Sequence, residues 1–124
     1  MNAQAQNSLN RIPYLSRLKV NEIMSNVKDA VTAAPHMHRV IFENDRLLIV
    51  EYPGKPGDKA GMHSHPDGVI YHLEGKMKVR SITLDGQVRE MEIKPGDLMW
   101  SPAMAHALEF VEGDKCRGLH IGLK

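Results

Sequence analysis

From residue 35 onward, apolar positions come in short runs rich in Val, Ile, Leu and aromatic residues, separated by turn-forming pairs. Runs at 39–43 and 46–52 flank Asn44-Asp45, and Pro53-Gly54-Lys55-Pro56-Gly57-Asp58 reads as a loop. Pro66-Asp67-Gly68 turns into the run 69–73, which ends at Glu74-Gly75. Runs at 76–84 and 87–93 flank Asp85-Gly86, the strongest short-range hairpin signal in the chain. After Lys94-Pro95-Gly96-Asp97 come 98–101, 105–111 and 117–123. Many short strands with Gly/Pro turns predict an all-β fold, an antiparallel β-barrel or jelly roll starting near residue 38, with no obvious internal repeat.

Ahead of the strands the pattern changes. Residues 1–12 are mostly polar, whereas Leu15, Leu18, Val20, Ile23, Met24 and Val27 approximate a helical period. The expected organisation is an N-terminal helical or coil extension over 1–34 and one domain over 35–124. Those apolar residues are expected to lie across the sheet or against a second subunit, and exposed sheet edges favour a homodimer.

Composition narrows the partners. The 124 residues carry 16 Lys+Arg against 15 Asp+Glu, for a formal charge of +1, with no basic stripe, so nucleic acid is not an expected partner. No stretch approaches the ~18 apolar residues of a membrane span, and the default location is the cytoplasm. Cys116 is the single cysteine, which excludes an intramolecular disulfide and fits a small core filler.

The candidate chemistry is in the histidines. His63 and His65 are two apart, so in a strand they project to one side about 6–7 Å apart along the backbone. Imidazole is the commonest protein ligand for first-row metals, and His106 from a distant strand would supply a third while leaving coordination positions open. His36-Met37-His38 has the same spelling but sits beside Pro35, where a solvated strand entrance is expected. Alternation from Val69 turns Tyr71 inward, as the one acid/base group placed near the site, and His72 outward. The facing of His120 stays open, and Met62, Met99 and Met104, with Trp100 and Phe110, are expected around the histidines.

With these residues in place, 35–124 resembles a cupin. Gly57, His63, His65 and Gly75 match the family's first motif, and Gly96, Pro102 and His106 match its second. Two departures stand out: Val69 or Ile70 occupies the place of the motif-one glutamate, and Phe110 that of the motif-two asparagine. Phe42-Glu43-Asn44-Asp45-Arg46, His63-Ser64-His65-Pro66-Asp67 and Gly122-Leu123-Lys124 resemble a small single-domain bacterial subset similar to beta-alanine degradation proteins. The resemblance implies a divalent transition metal (Zn, Fe, Mn, Ni or Cu) on His63, His65 and His106, and an enzyme of dioxygenase, lyase or isomerase type acting on a small organic acid, ketone or similar metabolite. The alternative is a metal-free cupin that binds a small-molecule ligand without turnover.

Overall fold

Turn chemistry sets the strand lengths. Lys-Pro-Gly-Asp occurs at 55–58 and again at 94–97 and builds the same corner each time. Proline presets φ at the second turn position and glycine takes the positive φ of the third, 94° at Gly57 and 93° at Gly96. In both corners the aspartate N–H donates to the lysine carbonyl at 3.1 Å, and the lysine N–H donates to the aspartate Oδ2 at 3.0 Å. Each corner is then clamped by two backbone bonds to a distant strand. The Gly57 N–H donates to the Phe110 carbonyl (2.7 Å) and the Phe110 N–H to the Asp58 carbonyl (2.9 Å). Likewise the Gly96 N–H donates to the His72 carbonyl (2.8 Å) and the His72 N–H to the Asp97 carbonyl (2.9 Å). Phe110 and His72 therefore hold equivalent places in two related halves. A four-residue repeat is too short to stand out in the sequence, and the internal symmetry emerges only from these bonds.

No atom lies within 4 Å of the Cβ that a substitution would add at Gly96, so Gly96→Ala isolates backbone strain. Its expected cost is about 1–2 kcal/mol, read as a lower urea midpoint at unchanged m. An unchanged midpoint would show that the corner tolerates an ordinary residue.

A computed structural model of the protein describes residues 26–124. The strands are β1 (Arg39–Glu43), β2 (Leu47–Gly54), β3 (Lys59–His65), β4 (Gly68–Glu74), β5 (Met77–Thr83), β6 (Val88–Ile93), β7 (Leu98–Ser101), β8 (Met104–Gly113) and β9 (Cys116–Leu123). They pair antiparallel into a sheet of order β1-β2-β9-β4-β7 and another of order β3-β8-β5-β6. This is the all-β, jelly-roll type of barrel that the strand spacing predicts. The turns fall where Asn44, Gly86 and the two corners put them: Asn44 Oδ1 accepts from the Arg46 and Leu47 N–H groups at 2.8 Å, and the Gly86 N–H donates to the Thr83 carbonyl at 3.0 Å.

Inward side chains of both sheets fill the interior. Met77, Val79, Ile93, Phe110 and Cys116 form its buried core with Ala34, Met37 and Ala60, and Tyr52, Met99 and Leu108 pack against them. The predicted helical segment 15–27 lies largely outside the described residues. Its end is held to β3: the Ser64 N–H donates to the Lys28 carbonyl at 2.9 Å, and Asp29 bridges Ser64. The short helix α1 (Ala30–Ala33) follows against β3 and buries Ala30. That anchorage brings Ala34, Met37 and His38 onto the barrel, while Pro35 and His36 stay exposed. No helix among the described residues is long and apolar enough to cross a membrane.

Candidate metal centre

Register across three strands assembles the first part of the site. On β3 and β8, His63 stands opposite His106 and His65 opposite Met104; on β5, Thr83 stands opposite His106. The pairing of β3 with β8 shifts between Ala60 and His63, and Gly61 lies in that irregularity with its carbonyl accepting the His63 Nδ1–H at 2.7 Å. His106 Nδ1 is 2.8 Å from Ser81 Oγ on β5. His63 is fully buried, and its ring centroid is 4.9 Å from that of His65 and 4.7 Å from that of His106.

Two further rings close on this set. His38, at the entrance to β1, is buried and lies 4.9 Å from His63 and 5.5 Å from His65, centroid to centroid. Its Nδ1–H donates to the Ala34 carbonyl at 3.0 Å. His38, His63 and His65 each offer a ring nitrogen within 4.8 Å of the other two, the spacing of groups that can share one ion. His120 arrives from β9 in the opposite sheet, buried, with its ring 4.7 Å from His65. Opposite His120 stand Val50 and Ile70, and opposite Ile70 stands Met99, so an apolar row runs beside the imidazoles.

Two physical features bear on whether these rings could hold a metal ion. A carbonyl can only accept, so the contacts to Gly61 and Ala34 fix the hydrogen on Nδ1 of His63 and His38 and leave Nε2 with a lone pair. The Nε2 atoms of His63, His106 and His120 are buried without a hydrogen-bond partner among the described residues. Such orphaned acceptors carry a desolvation penalty that a bound cation would remove. Burial also keeps the rings neutral: it pulls the pKa of His38 to about 4, against the Ala34 hydrogen bond, that of His106 to about 3 and that of His120 to about 4. Burial lowers His63 and, more strongly, His65, where the neighbouring imidazoles add to it. The clustered donors are imidazole nitrogens, a set that fits a borderline divalent ion of the first transition row.

The sequence-predicted residues fare differently. His63, His65 and His106 are brought together as neighbours in one cluster. The expected solvated entrance at His36-Met37-His38 is corrected: His36 is exposed, but Met37 and His38 are buried, because the anchored segment before β1 folds inward over β3. The inward placement of Tyr71 is also corrected. Gly68, Ile70 and His72 take the inner face of β4, which leaves Tyr71 38% exposed and away from the histidines. His72 is buried but structural: its Nε2–H donates to the Gly75 carbonyl at 2.6 Å, and its Nδ1 accepts the Tyr52 hydroxyl hydrogen at 2.9 Å. Phe110 belongs to the apolar core, not to the histidine cluster. His38 and His120 are the members that sequence reasoning did not assign; the second His-x-His spelling, and the glycines flanking His120 two residues away on its face, were the available signals.

Comparison with known proteins agrees with this architecture. No family model matches the chain, and a search of curated proteins finds no match. Among solved structures, a cupin domain from Bordetella pertussis Tohama I superposes with a TM-score of 0.63, at 20% identity, covering 70% of this chain and 91% of its own. The chain has the cupin fold. A cupin-family protein from Methanocaldococcus jannaschii, with a double-stranded β-helix, gives a TM-score of 0.57 at 10% identity, covering 69% of this chain and 77% of its own. The polyketide cyclase RemF from Streptomyces resistomycificus gives 0.57 at 26% identity, covering 81% of this chain and 75% of its own. Within the cupin barrel, His63, His65 and His106 stand on strands of one sheet and His120 on a strand of the other, so the cluster spans the interior.

Proposed function

We propose that the protein binds one divalent transition-metal ion through His63, His65 and His106, with His38 as a fourth ring, and acts on a small organic acid, ketone or similar metabolite. The observation that carries this is the pair of buried, unpartnered Nε2 atoms of His63 and His106, on rings whose Nδ1 atoms are already engaged. Zn²⁺, Fe²⁺, Ni²⁺ and Cu²⁺ suit an imidazole set better than Mn²⁺, which favours oxygen ligands. When bound, the ion would supply a Lewis acid for a carbonyl or carboxylate oxygen. The chain's own residues do the rest. Gly61, Ala34 and Ser81 hold the rings in orientation, Ile70, Met99 and Met104 make the surroundings apolar, and His120 presents Nε2 as a hydrogen-bonding group toward a ligand. The 26% likeness to a polyketide cyclase supports carbonyl chemistry.

Metal analysis of protein purified without chelator or histidine tag tests the proposal. One equivalent of transition metal per chain, restored by dialysis after stripping, is the expected result. Substoichiometric metal that dialysis does not restore would favour the metal-free binding cupin instead.

Ser81 gives a finer test, because its hydroxyl sits 2.8 Å from His106 Nδ1 and orients the ring. Ser81→Ala is expected to lower metal affinity about 10–100-fold, the usual effect of losing a partner to a ligating histidine, measured by calorimetric titration. Unchanged affinity would remove His106 from the ligand set.

A further inference from the structure

Between residues 118 and 122, strand β9 sends one side chain inward. Gly118, His120 and Gly122 are buried and alternate with Leu119 and Ile121 on the outer face. A Cβ at Gly118 would collide with the Tyr52 hydroxyl, and one at Gly122 would come within 2.8 Å of Pro66 Cγ, so packing closes both places to a side chain. The imidazole of His120 is what β9 presents to the interior here.

No group among the described residues answers its Nε2. The residue is 4% exposed, that nitrogen is buried without a hydrogen-bond partner, and Val50 and Ile70 stand opposite it on β2 and β4. Of the other clustered rings only His65 is in ring contact with it, at 4.7 Å with the planes tilted by 34°. His63, by contrast, contacts His38, His65 and His106. His120 also comes from the opposite sheet, and it stands outside the group of nitrogens on His38, His63 and His65 that lie close enough to share one ion. Its orphaned Nε2 carries a desolvation penalty that an incoming polar ligand would remove.

We infer that His120 is a substrate-recognition residue, and that the substrate is a small carboxylate held at two points, one oxygen by the ion and the other by the Nε2–H of His120. This rests on the metal reading above and narrows its substrate class. A neutral imidazole carries its hydrogen on either nitrogen, and a carboxylate oxygen, which only accepts, places it on Nε2. Apolar neighbours on both sides of the ring strengthen that bond. An ion on neutral imidazoles keeps its positive charge and favours an anion. A simple ketone has no second oxygen for His120, so the pair selects carboxylates over ketones of the same shape.

Cobalt-loaded full-length protein at neutral pH tests the inference without turnover, because the visible bands of Co²⁺ shift when a ligand joins it. The probes are acetate, which has a second oxygen, and pyridine, whose single lone pair is used on the ion. His120→Phe keeps a flat ring and has no N–H. It is expected to bind cobalt as the wild type does and pyridine within about twofold, and to lose about tenfold or more in acetate affinity. His120→Gln, which keeps an N–H at similar reach, is expected to recover most of that loss. His120→Leu repeats the measurement with a smaller side chain should thermal melts show that phenylalanine unsettles the fold. Equal losses for acetate and pyridine would make His120 a part of the cavity wall and overturn the inference, as would unchanged acetate affinity. Weakened cobalt binding in the Phe and Leu variants would make His120 a ligand of the ion and overturn it too. All three outcomes leave the metal reading standing, whereas a wild type that takes up no cobalt removes that reading and this inference with it.

Discussion

A His63→Ala protein is expected to lose metal binding by more than a hundredfold while keeping its fold. His63 is the fully buried ring that adjoins His38, His65 and His106, so removing it takes away an imidazole shared by three neighbours. The loss should exceed the roughly 10–100-fold typical when only a supporting hydrogen bond is removed. Thermal melts with and without added Zn²⁺ read the effect. Excess metal stabilises the wild type by mass action, about 2.7 kcal/mol at a hundred times the dissociation constant, and the variant's melting temperature should not respond. Retention of barrel structure follows from the position of the apolar core, which rests on Met77, Val79, Phe110 and their neighbours. The parallel variants His38→Ala and His106→Ala then separate a four-ring centre from a three-ring one. A His63→Ala protein that still gains the full zinc-induced shift would show that the cluster does not hold the ion.

Acid should destabilise the metal-free protein steeply between about pH 6.5 and pH 4. His38 and His120 titrate at about 4 and His106 at about 3 in the folded chain, against an ordinary value of 6.5 when unfolded. Between those values the unfolded chain binds protons that the folded chain does not, so stability is present above pH 6.5 and falls as pH drops. For His38 or His120 alone the loss is on the order of 3 kcal/mol by pH 4. Together the buried histidines can remove much of the 5–15 kcal/mol typical of a domain. Urea midpoints measured from pH 7.5 to 4 follow the trend. His120→Gln, which cannot charge, should flatten it, and excess zinc should move the acid transition to lower pH, because the ion and the proton compete for the same lone pairs. Equal slopes for wild type and His120→Gln would show that other groups carry the acid response.

The fold was legible because each strand is bounded by residues with unambiguous turn chemistry, such as Asn44, Gly57, Gly86 and Gly96. His63, His65 and His106 were legible because they belong to motifs that a chain states locally. His38 was not: its neighbours Pro35 and His36 are exposed, and its burial depends on the anchoring of residues 27–29 to Ser64, a contact between distant segments. Tyr71 and His72 face opposite to the expectation from alternation for one reason. Alternation fixes relative facing only, and the inward residues of β4 start at Gly68 rather than Val69. His120 needed the same absolute reference, which the strand could not supply by itself.

The histidines also enter from both sheets: His63 and His65 on β3 and His106 on β8 belong to one, His120 on β9 belongs to the other, and His38 directly precedes β1 of that second sheet. An ion shared by His38 and His63 would therefore act as a rivet through the two layers, closing a loop of chain as a disulfide does in proteins that have cysteines to spend on it. Here, with a single buried cysteine, a chelator would be the counterpart of a reducing agent.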